Sequence, residues 1–314
     1  MNDYHLKLYR EKLPQIPPAG CGNNTHCFLM TVANHGILAG LSGQEVYDDI
    51  RRSTPRGSRT VADKEIQETI DNAIEFHGNG QSKPYKKTQV ASCIIPEKNT
   101  FSTISATGKY STEDELKAAS PIPIPDDPVA QQRLFLETVF LPDDLVFSGE
   151  KVWPGTPQTI KPVCEWTLSG APGPLISSNP LSGLMAPKKD GSGMTYRGDN
   201  CVKYFRNAIV EFDNQPFEDQ VRFWSAIKLP VKALVHSGGK SLHAWLDVSS
   251  FKINNIAQWE KEIEVELYEK RLVRFQPDMS CSTPAHLTRI PGVFRKEKDQ
   301  WQRLLWLSDR GINV

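Results

Sequence analysis

The chain predicts an α+β protein in which a small all-α module stands before a mixed domain built on a sheet, and three observations carry that reading. Between about residues 24 and 78, apolar residues recur at helical spacing with no strand-like alternation. From Asn207 to Leu307, runs of β-branched and aromatic residues alternate with amphipathic stretches in the order β-α-β-β-α-β. The stretch from Gly78 to Pro125 is rich in Gly, Ser, Thr, Lys and Pro and has little periodicity, as a linker does. The expected boundaries are a helical module over 1–80, a linker over 81–126 and a second domain over 127–314. A chain of 314 residues with 39% hydrophobic content can bury cores of that number and size.

In chain order, residues 1–20 close on Pro-Gln-Ile-Pro-Pro-Ala-Gly and read as an extended lead-in. Phe28, Leu29, Val32 and Ile37 mark a first helix. Ser42 with Glu45 three residues on is a capping box opening a second. Ile66, Ile70, Ala73 and Ile74 share one face of a third, which stops before Gly78. Arg51, Arg52, Arg56 and Arg59 cluster after the second helix, either to grip phosphates or as a solvated face. Cys21, His26 and Cys27 are the nearest approach to a zinc half-site, but their spacing does not fit the usual knuckle and no partner pair follows. The linker starts basic, at Lys83, Lys86 and Lys87, admits a helical turn or two over 111–119, and ends in a stiff Pro121–Pro125 run.

Asp127 opens a helix through Phe140 with Leu134, Leu136 and Val139 on its core side, and 145–148 reads as a strand. The stretch 153–193 is full of Pro and Gly. Asn207–Asp213 reads as the next strand, because Ile209, Val210 and Phe212 supply β-branched and aromatic bulk. Phe217, Val221 and Trp224 mark a helix at i, i+4 and i+7. Strands over 231–236 and 241–248 flank Ser237-Gly238-Gly239-Lys240, whose glycines allow the positive φ of a tight turn. Ile256, Trp259, Ile263 and Leu267 stripe a charged helix over 254–272, and 303–307 is the last strand.

Charge and targeting bound the function. Lys plus Arg equals Asp plus Glu at 37 each, so a nucleic-acid groove would have to come from local clustering. No apolar run approaches membrane-spanning length and Met-Asn-Asp-Tyr-His is no signal peptide, which predicts a cytoplasmic protein without membrane partners. The six cysteines are scattered with no C-x-x-C pair, so a disulfide framework is not expected.

The chemistry-bearing residues concentrate between Asn207 and Val248. Side chains alternate along a strand, so Glu211 and Asp213 share a face with Cα atoms about 6.5 to 7 Å apart, a spacing that suits two carboxylates on a divalent metal, although an acidic strand end taken alone is more often simply solvated. Ser241 and His243 share a face of the later strand beside a glycine turn with a lysine, which makes an anion-binding surface. Gly239-Lys240-Ser241 is not a P-loop: that pattern needs glycine where Leu234 stands, and a helix rather than a strand afterwards.

Glu211-Phe212-Asp213, then Ser241-Leu242-His243, then Asp278, in that order on a β-α-β-β-α-β scaffold, resemble the three motifs of the archaeo-eukaryotic primase superfamily, the primase-polymerases. Ser178-Asn179-Pro180-Leu181-Ser182-Gly183, Tyr196-Arg197 and Arg289-Ile290-Pro291-Gly292 are similar to members from phages, plasmids and other bacterial mobile elements. The resemblance covers roughly 127–314 and implies an RRM-like catalytic sheet with an N-terminal α/β portion packed beside it. It implies that Glu211, Asp213 and Asp278 bind two divalent metal ions, Mg²⁺ or Mn²⁺, and that Ser241 and His243 meet the phosphates of an incoming nucleoside triphosphate. Lys240 and Arg289 extend that set, since a triphosphate needs cations. The implied activity is template-directed nucleotidyl transfer that makes and extends primers on single-stranded DNA, in a bacterial or phage-infected cell, with a replicative helicase supplied by another chain. Small helical modules accompany such enzymes, usually after the catalytic domain, so a module placed before it is a departure. Two other classes fit the same residues: an RRM-like nucleic-acid-binding module without catalysis, and a metal-dependent nuclease.

Overall fold

The computed structural model describes residues 3–18, 25–55, 61–77 and 100–314. The chain divides into two compact units, Met1–Lys87 and Thr88–Val314. No described helix is long and apolar enough to cross a membrane.

The first unit holds helices α1 (Asp3–Lys12), α2 (Thr25–Ala39), α3 (Gly43–Ser53) and α4 (Asp63–His77). The capping box is formed: the Ser42 side chain accepts from the Glu45 N–H, and the Glu45 carboxylate accepts from the Ser42 N–H. Leu29, Val32, Val46, Ile50, Ile66, Ile70 and Ala73 are buried together. Gly36 allows the close approach, since a Cβ there would stand 2.6 Å from Val46 Cγ2 and 2.9 Å from the Tyr9 ring. The extended lead-in expected over 1–20 is instead helical over α1. Tyr9 is buried and its hydroxyl donates to Asp49 at 3.0 Å. A ten-residue helix is marginal alone and is stabilised by the tertiary face it covers, so its own periodicity does not announce it.

The second unit runs α5 (Phe101–Ser105), α6 (Glu113–Ala118), α7 (Pro128–Val139), β1 (Leu145–Gly149), β2 (Ile160–Pro162), α8 (Val163–Ser169), β3 (Leu175–Ser177), β4 (Ala186–Pro187), β5 (Met194–Thr195), β6 (Asn207–Val210), α9 (Phe217–Ala226), β7 (Val231–His236) and β8 (Leu242–Asp247). After these come α10 (Ile256–Trp259), which continues as a π-helix over Glu260–Leu272, then β9 (Leu287–Arg289), β10 (Phe294–Arg295), β11 (Gln300–Trp301) and β12 (Arg303–Ile312). The fold is α+β with antiparallel sheets.

One four-stranded sheet has the order β12-β7-β8-β6 and the other β2-β1-β3-β9. Strands β6 and β7, joined through α9, flank β8, and the chain follows the predicted β-α-β-β-α-β order with β9, β10 and β11 inserted before the last strand. Helix α7 starts at its Asp127 cap, which accepts from the Ala130 N–H at 2.7 Å, and sends Phe135 and Phe140 edge-on to Trp245 of β8. Helix α9 buries Val221, Phe223 and Trp224. Along the π-helical stretch the wider winding places Ile263, Leu267, Tyr268 and Leu272 on the buried side.

The linker expected over 81–126 ends earlier. Residues 78–99 lie outside the described part of the chain, but from Thr100 onward the chain belongs to the core of the second unit. Phe101 stacks on Phe223 with ring centroids 4.4 Å apart, Leu116 is fully buried, and the Pro121–Pro125 run is held by the Ile122 N–H donating to the Leu307 carbonyl at 3.1 Å. Short helices separated by polar turns lack the repeat that sequence periodicity needs, and the partners of Phe101 lie more than a hundred residues away.

Phe101→Ala is expected to destabilise the protein by about 3 to 5 kcal/mol, as loss of a buried aromatic does. Urea unfolding followed by tryptophan emission measures it; a change under about 0.5 kcal/mol would return this segment to the linker.

Candidate functional site

The ladder of β6 with β8 runs Asn207↔Asp247 to Val210↔Ala244 and stops. Carried one residue further, that register sets Glu211 opposite His243, and the two side chains do meet, Glu211 Oε2 to His243 Nε2 at 2.6 Å with both residues buried. The ladder ends there because the Glu211 carbonyl accepts from the Asp278 N–H, at 3.0 Å, so the chain after β6 is drawn to a different neighbour.

Asp278 caps a short turn, Met279–Ser282, accepting from the Ser280 N–H and the Ser280 hydroxyl at 2.9 Å each. The same turn aims the Cys281 thiol at Glu211 Oε1, 3.4 Å away. Glu211, Asp278 and Cys281 therefore place one ligand atom each within 4.8 Å of one another, a group that can hold a metal ion. Two carboxylates with a thiol suit a divalent cation of mixed preference better than a strictly hard one. The turn is fixed from behind by the Trp259 indole N–H donating to the Ser282 carbonyl at 2.7 Å, and the Tyr268 hydroxyl donates to the Ile209 carbonyl on the approach to Glu211.

Asp213 is not part of this group. It stands half-exposed past the end of the strand, with Lys240 Nζ 3.9 Å from its carboxylate. Glu211 and Asp213 were expected to converge as neighbours on one strand face. The strand ends at Val210, so Glu211 turns inward to His243 while Asp213 enters a turn at the surface.

The second sheet completes the surroundings. Thr288 and Arg289 lie on β9, paired with Ile176 and Leu175 of β3. The buried Thr288 hydroxyl is 2.8 Å from His243 Nδ1, so both ring nitrogens of His243 are engaged and its plane is fixed. Arg289 is half-buried, and burial and Arg295 hold it below the ordinary guanidinium value against the opposing pull of Glu297 and Glu211. Asn179, in the segment 178–183, is fully buried. Its carbonyl accepts from the Arg206 and Asn207 N–H groups at 2.7 and 2.9 Å, and its amide donates to the carbonyls of Asn207 and Pro284 at 2.8 and 2.9 Å. One side chain thus fastens the start of β6 to the loop leading into β9. Arg197 lies over the Phe147 ring, 4.8 Å from its centroid, in the second sheet's own cluster.

Ser241 is buried at the foot of β8. Its N–H and hydroxyl both reach the Ser237 hydroxyl, at 3.4 and 3.3 Å, across the turn in which Gly238 takes φ +64°. Gln220 of α9 grips that turn from inside, its amide donating to the Lys240 carbonyl at 3.1 Å and its carbonyl accepting from the Leu242 N–H at 2.8 Å. Lys240 points outward and exposed.

The electrostatics follow the contacts. Burial pushes the Glu211 carboxyl up, but the hydrogen bond and charge of His243, aided by the Cys281 thiol, outweigh it and hold the group down at about 2. His286 is held down at about 4 by burial and by the nearby His243, against the opposing pull of Glu211 and Asp278. His236 sits at about 4 for a similar reason, burial first and then Arg303, whose guanidinium is 3.3 Å from its Nδ1 while Nε2 faces the Gly239 carbonyl.

Arg51 and Arg52 belong to the last turn of α3 rather than to a segment after it, and both are paired, Arg51 with Asp63 at 3.2 Å and Arg52 with Asp49 at 3.4 Å. Arg56 and Arg59 lie outside the described residues, as do Cys21 and the side chains of His26 and Cys27. Sequence reading missed Cys281, Thr288, His286 and Gln220. The only local signals were Cys281 three residues after Asp278 and Thr288 beside Arg289; Gln220 has none. Comparison with known protein families, with characterised proteins and with solved structures returned no match.

Acid should weaken this unit in a defined window. The ordinary histidine value is 6.5 and the folded values of His236 and His286 are about 4, so between them the unfolded chain binds more protons than the folded one and stability falls as pH drops. Urea midpoints should decline from pH 7 to 5, and His286→Gln should flatten the decline. A midpoint that held or rose on acidification in the wild-type chain would contradict the burial of neutral imidazoles.

Proposed function

We propose that the unit Thr88–Val314 is a template-directed nucleotidyltransferase of the primase-polymerase type, with the sheet β12-β7-β8-β6 and its helices α9 and α10 in the place of the expected RRM-like layer, the last strand pairing with β7 rather than with β6 as in an RRM sheet. The observation that carries this reading is the convergence of Glu211 and Asp278, distant in sequence, at ligand distance, with Ser241 and His243 on the adjoining strand. The order of these residues along the chain is that of the motifs the chain resembles, and Asp278, which lies in no strand, meets the chain just past the end of β6 through the Glu211 carbonyl.

In this reading Glu211 and Asp278 hold a divalent cation from inside and Asp213 approaches from the surface. The donor set suits one cation, and a second requires Asp213 to leave Lys240. Glu211, Asp278 and Asp213 would hold such ions, which would supply charge stabilisation for attack on a nucleoside triphosphate, NTP or dNTP. The chain's own groups do the rest. Ser241 and the turn amides receive phosphate oxygens, and Lys240, released from Asp213, meets their charge together with Arg289. His243 is oriented by Thr288 and holds the Glu211 carboxylate at one angle. Gln220 is a positioning residue that keeps the Lys240–Ser241 turn in shape. A single-stranded DNA template and a separate helicase complete the proposal, as does a cytoplasmic setting.

A non-catalytic module that binds nucleic acid has one observation in its favour: both Glu211 oxygens are already satisfied within the fold, by His243 and Cys281, as in a purely structural pair.

Nucleotide incorporation on an unprimed single-stranded circle, in Mg²⁺ and in Mn²⁺, separates these readings. Asp278→Asn and Asp213→Ala should each lower incorporation about 100-fold or more, with unfolding midpoints near wild type, and Gln220→Ala should raise KM for nucleotide more than it lowers kcat. EDTA should abolish product. Full activity in Asp278→Asn would remove the metal assignment. Absence of product with or without a primer would favour the module, and shortening of the strand without nucleotides would favour a nuclease.

A further inference from the structure

Just beyond Arg289–Gly292 the chain forms a small hairpin whose composition nothing in the core requires. Strands β10 and β11 pair Phe294 with Trp301 and Arg295 with Gln300, around a four-residue loop that ends at Asp299 with φ +52°. Phe294 and Trp301 remain 37% and 42% exposed although they are large and apolar, and their rings meet at 61° with centroids 5.3 Å apart. An edge-to-face pair of this kind stiffens both rings and leaves ring faces free to solvent.

The hairpin is anchored at both ends. Gly292 N–H donates to the Gln302 carbonyl at 2.8 Å and Gln302 N–H to the Val293 carbonyl at 2.9 Å, closing its base. Arg295 ties its side to the glycine turn, donating to the Ser237 carbonyl at 3.1 Å, and a Cβ on Gly238 would stand 3.3 Å from the Trp301 backbone. The aromatic pair is thereby fixed beside the turn that carries Lys240 and Ser241. Arg295 also neutralises Glu297 at 2.7 Å, which leaves exposed Lys296 and Lys298 against Asp299 in the loop.

We propose that this hairpin is a stacking platform for single-stranded nucleic acid, on which a base packs against Trp301 or Phe294 while Lys296, Lys298 and Lys240 meet the adjoining phosphates. Rigid exposed aromatics interleaved with cations are the means by which strands are held without sequence preference, because every base has a π-face. A strand seated there lies against the Lys240–Ser241 turn. Its identity as template or primer rests on the nucleotidyltransferase reading; the strand-binding surface itself does not.

The test uses the full chain, a fluorescein-labelled oligo(dT) and a duplex of the same length, with EDTA and no nucleotides, followed by anisotropy. The wild-type chain should bind the single strand more tightly than the duplex. Trp301→Ala should weaken oligo(dT) binding about fivefold or more, the lower end of what one base–aromatic stack contributes, and Trp301→Phe should retain it. Lys296→Glu with Lys298→Glu, in an exposed loop where folding is not at stake, should weaken binding and flatten its salt dependence. The proposal is overturned if Trp301→Ala and the lysine pair both bind like wild type, if the wild-type chain does not bind oligo(dT), or if light scattering shows a dimer that Trp301→Ala dissolves, since the patch then covers a second copy. Incorporation measured in parallel keeps the two ideas apart. Loss of strand binding in Trp301→Ala with a wild type that makes no product keeps the platform and removes the polymerase; a wild type that makes product while Trp301→Ala and the lysine pair both bind normally does the reverse.

Discussion

The register of β6 against β8 is the constraint on which the site depends. It sets Glu211 across from His243, and an ionisable pair 2.6 Å apart in a buried place must be satisfied on every side or it destabilises the fold. The structure meets that demand with Cys281 on one side of the carboxylate and Thr288 on the far nitrogen of the imidazole. Those two partners come from different elements, the turn after Asp278 and strand β9. A slip of one residue between β6 and β8 would turn Glu211 away from His243 and dissolve the whole arrangement.

The two four-stranded sheets of the larger unit accordingly divide the labour. The sheet β12-β7-β8-β6 provides the carboxylate, the histidine and the serine turn, and the sheet β2-β1-β3-β9 provides Thr288, which orients the histidine. Asn179 is the fastening between the two, using its whole amide to satisfy buried backbone groups near the start of β6 and at Pro284. A buried asparagine with both ends engaged specifies geometry more than it adds net stability, because hydrogen bonds to water are given up in exchange.

The inner and outer parts of the site differ in how firmly they are held. Glu211, His243 and Ser241 are buried and internally bonded, and Gln220 and Ser237 brace the turn beside them. Lys240 and Asp213 are exposed and joined only by a 3.9 Å contact, which solvent screens and which contributes little to stability. Release of Lys240 from Asp213, which the proposed binding of nucleotide would require, therefore falls on the outer pair, where it costs least.

Much of the fold was legible from residue order alone. Short runs of β-branched, aromatic and aliphatic residues located β7, β8 and β12, helical spacing located α2, α4 and α9, and the Ser42–Glu45 box marked the start of α3 to the residue, because these signals are local. Glu211, Ser241 and His243 stood out as polar residue types on strands and beside a glycine turn, whereas Asp278 entered only through the order of motifs that the chain resembles. Tertiary structure decided the remainder. It recruited α1 and α5 into cores they are too short to announce, packed the helical turn expected over 111–119 into the core as α6, and ended β6 at Val210 by giving the Glu211 carbonyl to Asp278. It also separated Asp213 from Glu211 and brought in Cys281, Thr288 and Gln220. Those choices depend on which distant group satisfies a buried polar atom, and pairings across tens of residues leave no period in the sequence to read.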